Sequence, residues 1–292
     1  MTHVSARRGA VYVSVAATAW GTGGAAGSLL FETGGLGPVG VSLWRYLIGA
    51  AFLLVLAPRP ADLTRLSWRV LPVGAGMAVY QTAYFAAIAH SGVALATVVT
   101  MGATPVFTAL GGRFLLRERL GGVGLGSLAA ALAGLALLTA ESITTEAAGS
   151  ASSVAGIGFA LASAAGYAGV TLFSRRHRDD PQGAAIGGFV VGAVCLTPFA
   201  LAEGVVPEIG VVSVTLLLYL GAVPTALAYG LFFRALTALR ATTVSIISLG
   251  EAVGAALLGV VLFGEHLTPL AWCGCVLLLA AVAVLAARGE AG

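Results

Sequence analysis

Ten stretches of mostly apolar residues follow one another along this 292-residue chain, separated by short polar or glycine-rich breaks. About 20 residues at helical rise cross the hydrocarbon of a bilayer, so each stretch is a transmembrane helix candidate. The pattern predicts helices over about Val11–Phe31, Pro38–Ala57, Val70–Ala89, Ala94–Leu116 and Gly122–Ala140. It predicts five more over Val154–Ser174, Ala185–Ala202, Val212–Ala235, Ala241–Gly264 and Pro269–Ala287. Residues 141–153 between the two sets are polar, acidic and rich in Gly, Ser and Thr, and read as a linker. The expected fold class is therefore an all-α integral membrane protein of ten transmembrane helices.

The pattern also repeats. Sliding Ala94–Leu120 by 147 positions onto Ala241–Leu267 aligns Val106 with Val253, Ala109 with Ala256, Leu110 with Leu257 and Gly112 with Gly259. Leu115 then falls on Leu262, and Glu118 on Glu265. A glutamate match is hard to attribute to an apolar composition. The same offset pairs Gly9 with Gly156, Tyr12 with Phe159, Ala17 with Ala164, Trp20 with Tyr167, and Gly74 with Gly221. Ala83-Tyr84 suits Ala228-Tyr229 at offset 145, which points to a short insertion. A fixed internal period decides architecture before local detail does. The chain divides into a first five-helix repeat over 1–140, the linker over 141–153 and a second five-helix repeat over 154–292. Ala17-Thr18-Ala19 resembles a signal-peptidase site, but cleaving the first helix would leave Gly156–Arg175 without its counterpart.

Charge then orients the helices. All 15 basic residues are arginine, and cytoplasmic loops carry the Lys/Arg excess. With the N-terminus inside, the inner loops and tails hold every arginine except Arg45. The outer loops hold Glu32, Glu141, Glu146, Glu203, Glu208 and Glu265. Both termini are expected in the cytoplasm and the protein in the cytoplasmic (inner) membrane. Five helices per repeat is an odd number, so the second repeat enters from the opposite side. Such inverted-topology repeats mark alternating-access carriers, whose substrate site lies near the midplane between the repeats.

The repeated segment carries Pro105 and Arg117-Glu118-Arg119-Leu120 in its first copy, and Gly264-Glu265-His266-Leu267 in its second. On these residues the chain resembles the paired EamA domains of the drug/metabolite transporter superfamily, over nearly its whole length. Many members carry Glu-Pro in the second copy; here the position reads Glu251-Ala252, so no proline kinks the ninth span. Arg45 matches an arginine frequent in the family's second helix. The resemblance implies a carrier, often an exporter of amino acids, related metabolites or drugs.

Candidate function then falls on the polar residues within the spans. Glu251 sits near the bilayer centre, where a carboxylate costs roughly 2.5–3.5 kcal/mol on insertion scales. It reads either as a proton-coupling or amine-binding group or as an interhelical hydrogen-bonding acid. Arg45 is the one other mid-span charge, a coupling candidate that also lies close enough to the outer end to snorkel. Trp20, Tyr80, Gln81, Tyr84, Tyr167 and Tyr229 form an aromatic and polar set; Tyr80 and Tyr84 share a helix face. Belt aromatics belong at the interfaces, so mid-span Trp20, Tyr84 and Tyr229 read as cavity lining, with core or lipid packing the alternative.

Gly21, Gly23, Gly24 and Gly27 allow close helix approach or gating. Pro105 and Pro224 each free a backbone carbonyl. Glu118 and Glu265 are placed to cap the helices that directly follow them. Gly126, Ala130 and Gly134 make a small-residue face for packing or for a homodimer.

At 59% hydrophobic and 9% charged, the chain is far from the roughly 25% charged residues of a soluble domain. The net charge of +3 is set by topology and gives no nucleic-acid signal. Cys195, Cys273 and Cys275 lie inside apolar runs, and Cys273 and Cys275 fall on different helix faces, which argues against disulfides and against a metal site. No Walker loop, dinucleotide fingerprint or catalytic triad is visible, so no cofactor and no enzyme activity are expected. The reading is a secondary carrier whose partners are the lipid bilayer and a small-molecule substrate, with a passive channel and a membrane enzyme or assembly protein as the competing classes.

Overall fold

The computed structural model describes residues 4–55, 68–91, 93–147, 153–263 and 266–288. Arg59, Arg65, Ser150 and Glu265 fall outside the described residues, as do the side chains of Glu32, Glu141, Glu146 and Arg288. The helices are α1 (Ala6–Thr33), α2 (Pro38–Val55), α3 (Val70–Ser91), α4 (Val93–Gly111), α5 (Gly122–Ala147), α6 (Ser153–Arg176) and α7 (Pro181–Glu203). They continue as α8 (Val211–Gly221), α9 (Ala228–Ala235), α10 (Ala241–Ser248), α11 (Gly250–Phe263) and α12 (Pro269–Arg288). Among the described residues there is no strand.

Local chemistry sets the ends. Ser5 accepts the Arg8 N–H at the start of α1, Asp180 Oδ1 accepts the Gly183 N–H at 2.8 Å ahead of Pro181, and Thr268 Oγ1 accepts the Ala271 N–H before Pro269. Each meets a donor that the first helical turn cannot satisfy. α5 runs to Ala147 rather than stopping at Ala140. The apolar run ends at Ala140, but Glu141–Ala147 holds no Gly or Pro, and polarity alone does not end a helix.

Two expected spans are composite. The eighth passes from α8 through a π-helical segment, Ala222–Leu227, into α9. Pro224 cannot donate to the Leu220 carbonyl, and the Thr225 hydroxyl does so instead at 2.6 Å. The ninth is broken without a proline. The Leu249 N–H bonds the Ile246 carbonyl and the Ala252 N–H bonds the Leu249 carbonyl, so the helix tightens to three-residue spacing around Gly250-Glu251. Pro105, by contrast, lies inside an unbroken α4, which loosens into a π turn, Gly112–Leu116, only at its end.

Among the described residues, eight helices or composite spans are long and apolar enough to cross a membrane. α1 and α3 are not among them, although they have 28 and 22 residues. Their apolar runs are diluted by the Trp20–Gly27 stretch and by Tyr80-Gln81-Thr82, and of these Trp20, Gly23, Gly27, Tyr80 and Gln81 face the interior. The outer surface is apolar: Val194, Phe199, Leu201 and Val276 are all more than half exposed. In lipid that arrangement is stable, and helix association rests on small residues and buried polar groups instead.

α3 packs on α6, α7 and α4; α1 packs on α11, α9 and α8; α5 packs along α12, and α2 along α7. Gly134 belongs to the α5–α12 crossing, where a side-chain carbon would lie 2.8 Å from the Gly274 carbonyl oxygen. This half of the small-residue face thus packs within the chain, while Gly126 has nothing within contact. Gly21 meets the α11 backbone at Glu251 and Gly254, and Gly23 meets Pro224. The surroundings of Gly24 are outside the described set.

The bundle has two chemically different ends. At one, Glu203 Oε2 accepts the N–H groups of Val39 and Gly40, and the Glu208 N–H bonds the Gly34 carbonyl, joining the α1–α2 and α7–α8 connections. At the other, Arg176 donates to the Leu115 carbonyl, Arg178 to Thr237, and Arg240 to Arg119 at 3.0 Å. Arg69 reaches Asp179 there, at 3.8 Å. Arg45 alone among the described arginines lies far from this second end.

Candidate functional site

A cavity of about 560 Å³ lies within the bundle, and all eight residues singled out in the sequence line it: Trp20, Arg45, Tyr80, Gln81, Tyr84, Tyr167, Tyr229 and Glu251. This is within the size range of small-molecule sites. Polar and aromatic side chains in a lipid-embedded chain have only the interior to face, which is why their mid-span position was informative.

The rings form a connected wall. Tyr80 stacks near Tyr84 with centroids 6.3 Å apart, Tyr80 and Tyr167 are 5.0 Å apart, and Tyr167 and Phe232 are 5.9 Å apart. Trp20 stands edge-on to Tyr229 at 5.0 Å and to Phe232 at 5.5 Å. α1, α3, α6 and α9 are thereby joined through Phe232, which is fully buried. Tyr84 is anchored by a 2.6 Å hydrogen bond between its hydroxyl and Thr97 of α4.

The Trp20 Nε1 and Ser245 Oγ atoms are buried and without a hydrogen bond among the described residues, and both residues line the cavity. Glu251 lies in the first turn of α11, just after the break, where an internal helix N-terminus favours negative charge. Among the described residues its carboxylate makes no hydrogen bond or ion pair, so nothing here ties it to a neighbouring helix as a packing acid. Arg45 does not snorkel outward. It lines the cavity and its Nε donates to Thr225 Oγ1 at 3.3 Å, the same hydroxyl that serves the Leu220 carbonyl. Arg45 and Glu251 form no ion pair among the described residues.

Several lining residues escaped the sequence reading. Ser245 and Ser248 sit one turn apart in an apolar span, and Thr104 occupies the register of Glu251 at the 147-residue offset. That offset was the signal that would have found Thr104. Glu203 also lines the mouth, while capping α2.

The cavity is asymmetric along the bundle. It extends to Pro38 and Glu203 at one end, whereas toward the arginine-rich end no lining residue of α10 lies beyond Ser245. Past it, Leu236, Leu239, Ala241 and Thr243 are fully buried. Glu118 belongs to this closed end and departs from expectation. Its carboxylate does not cap α5. Oε2 accepts the Ala241 N–H at 3.1 Å, at the start of α10, and Oε1 pairs with Arg175 Nε of α6 at 3.0 Å. Arg117 takes a left-handed backbone (φ 57°) that folds the chain back, bonding the Glu118 N–H to the Gly112 carbonyl and turning the side chain away from α5.

Known proteins agree with this architecture. A solved crystal structure 23% identical in sequence superposes with a TM-score of 0.83, covering 97% of this chain and 98% of that one, which speaks to the fold. The chain is 30% identical over 282 residues to the uncharacterized transporter YwfM of Bacillus subtilis (strain 168), spanning 95% of this chain and 93% of that protein. It is 23% identical over 276 residues to an uncharacterized transporter of Clostridium kluyveri, spanning 89% and 87% of the two chains. The EamA-like transporter family matches residues 7–140 and again residues 154–287. With apolar membrane-crossing helices around an interior cavity, the chain is a multi-pass membrane protein that belongs to the EamA-like transporter family, and hence to the drug/metabolite transporter superfamily.

Proposed function

We propose that this protein is a secondary carrier that exports a small amine-bearing organic metabolite, an amino acid or related compound or a cationic drug, by alternating access. The observation that carries the proposal is the cavity itself. Within it Glu251 and the guanidinium of Arg45 form no ion pair among the described residues, while a second carboxylate, Glu203, is engaged in capping α2 at the mouth, and the aromatic-walled space reaches only that end of the bundle. A charge in a low-dielectric site that makes no direct ion pair among the described residues is available to a ligand. A ligand bearing an ammonium suits Glu251, and one that also carries a carboxylate suits Arg45.

Ten spans arranged as two inverted repeats, 1–140 and 154–292, are the architecture we assign. The two family matches begin and end 147 positions apart, the offset seen in the sequence, which supports the repeat. The packing supports it as well. If α1 corresponds to α6, α2 to α7, α3 to α8–α9 and α4 to α10–α11, then α3 on α6 is the counterpart of α1 on α9. Likewise α4 on α6 answers α1 on α11, and α3 on α7 answers α2 on α8. Trp20 and Tyr167, Tyr84 and Tyr229, and Thr104 and Glu251 are then related pairs around one cavity.

The arginine-rich end is assigned to the cytoplasm of the inner membrane by the positive-inside bias, which makes this conformation outward-facing. Cysteines placed at Ser150 and Ile209 are expected to react with an impermeant thiol reagent from outside, and one at Arg176 only from inside. The opposite pattern would invert the orientation.

The test of the site is transport in proteoliposomes against a panel of amino acids and cationic drugs, first ranked by thermal shift. Tyr84→Ala and Tyr229→Ala are each expected to lower transport of the best hit roughly tenfold, or about 1.4 kcal/mol of interaction, with the protein still in the membrane. Unchanged transport in both would place these rings outside the substrate site. Saturable counterflow distinguishes this carrier from a passive channel.

A further inference from the structure

We propose that α10 is the gate of the closed end and that Glu118 with Arg175 is its latch, released when the carrier turns inward; this rests on the alternating-access reading above. Glu118 comes from the N-terminal half of the chain, yet among the described residues both partners of its carboxylate lie in the C-terminal half. Oε1 meets Arg175 Nε at 3.0 Å and Oε2 meets the Ala241 N–H at 3.1 Å. Arg175 extends the tie by donating from a terminal nitrogen to the Leu236 carbonyl at 2.9 Å, at the end of α9. One carboxylate thus holds α6, the end of α9 and the start of α10 together. The pair is secluded, with side-chain exposures of 14% for Glu118 and 7% for Arg175.

α10 is built to move as an arm. It has eight residues, all of them buried. Its far end is the tightened turn at Leu249-Gly250, where the ladder of regular helical hydrogen bonds is interrupted. A side-chain carbon at Gly250 would meet nothing nearer than Ala17 at 3.9 Å, so this turn is not wedged by neighbours. The near end is held by Glu118. Between the two lies Ser245, a single helical turn from Ala241 and facing the cavity. Material leaving the cavity toward the arginine-rich end must pass α10 and the buried side chains of Leu236 and Leu239. Hinged beside Glu251 and latched at Ala241, α10 lies directly between the site and that exit. Such an element, with two discrete arrangements, is what alternating access requires.

The pair is not a generic surface contact. Exposed ion pairs contribute little, but a buried carboxylate losing its guanidinium keeps an uncompensated charge, so the latched arrangement is specifically favoured while both partners are present. The opposite end has a comparable tie, Glu203 to Val39 and Gly40, but there it borders the open mouth and seals nothing.

The experiment uses the full chain with Cys195, Cys273 and Cys275 replaced by serine, in membrane vesicles of either orientation. Single cysteines report three places: Ser245→Cys inside the gate, Gly27→Cys at the mouth, and Ala164→Cys in a buried packing position. With the latch intact, the Ser245 reporter should react only slowly with an impermeant thiol reagent added at the arginine-rich side. Glu118→Gln should raise its labelling rate there roughly tenfold, as a modest shift in a two-state population does, while labelling at Gly27 from the other side falls. Arg175→Lys, which keeps the charge but loses the paired Nε and terminal-nitrogen contacts, should do the same. If neither substitution changes either reporter, or if all three reporters rise together, Glu118 and Arg175 are a static anchor and the proposal is overturned. If the Ser245 reporter rises from the arginine-rich side while labelling at Gly27 does not fall, both ends are open together, which would instead reject alternating access independently of the latch.

Discussion

Glu251→Gln is expected to fold and insert normally while losing transport of an amine-bearing substrate, together with its pH dependence. The carboxylate makes no protein hydrogen bond or ion pair among the described residues, so glutamine leaves no partner stranded. What it removes is the negative charge that a substrate ammonium would meet in the cavity. Truncating one member of a buried charge pair costs about 2 kcal/mol or more, roughly thirtyfold in affinity. The direction with pH follows from competition. The ionised carboxylate binds a cation and the protonated one does not, so apparent affinity rises with pH until Glu251 is fully ionised.

In a proton-coupled exporter the same group carries the proton back once the substrate has left. The other titratable and charged groups around the cavity are Arg45, Tyr80, Tyr84, Tyr167 and Tyr229, together with Glu203 at the mouth, whose Oε2 already accepts the Val39 and Gly40 N–H groups; a guanidinium stays charged across the relevant range. The pH profile of proteoliposome transport should therefore flatten in Glu251→Gln and persist in Tyr84→Phe. Retention of both rate and profile in Glu251→Gln would reduce the carboxylate to a bystander and the carrier to a facilitator.

The sequence made the apolar spans, the polar residues within them and the repeat readable because each follows from one-dimensional facts. Lipid leaves Trp20, Tyr229 and Glu251 nowhere to face but inward, and a fixed offset needs no geometry to detect. What was not readable depends on contacts between distant residues. Glu118 stands just before α5, so local capping was the natural expectation, but the left-handed Arg117 redirects it to Ala241, 123 positions away. Arg45 looked close enough to the surface to snorkel until Thr225, brought up by the π segment after Pro224, offered an interior acceptor. The break at Leu249 had no proline to announce it, and a short three-residue turn beside a glycine carries almost no sequence signal. The apolar span ends at Ala140, but the helix does not, because loss of hydrophobicity is not loss of helix and α5 continues to Ala147.

Gly274→Val is expected to be the most damaging single change in the packing of the bundle. The α5–α12 crossing brings two backbones together through glycines. A side-chain carbon on Gly274 would lie 2.5 Å from the Leu138 nitrogen and 2.6 Å from the Gly134 carbonyl oxygen. Both are backbone atoms inside helices and cannot rotate aside, so α12 would have to withdraw along the whole contact. Overpacking a well-fitted interior costs typically 1–3 kcal/mol and sometimes more, and in lipid no hydrophobic gain between helices offsets it. We expect a loss of about 3 kcal/mol, read as a lower melting temperature in detergent and a smaller monodisperse fraction. Gly126→Val on the same face of α5 should leave both unchanged, since nothing lies within contact of that position. If the two substitutions behave alike, the glycine crossing is not what holds α5 to α12.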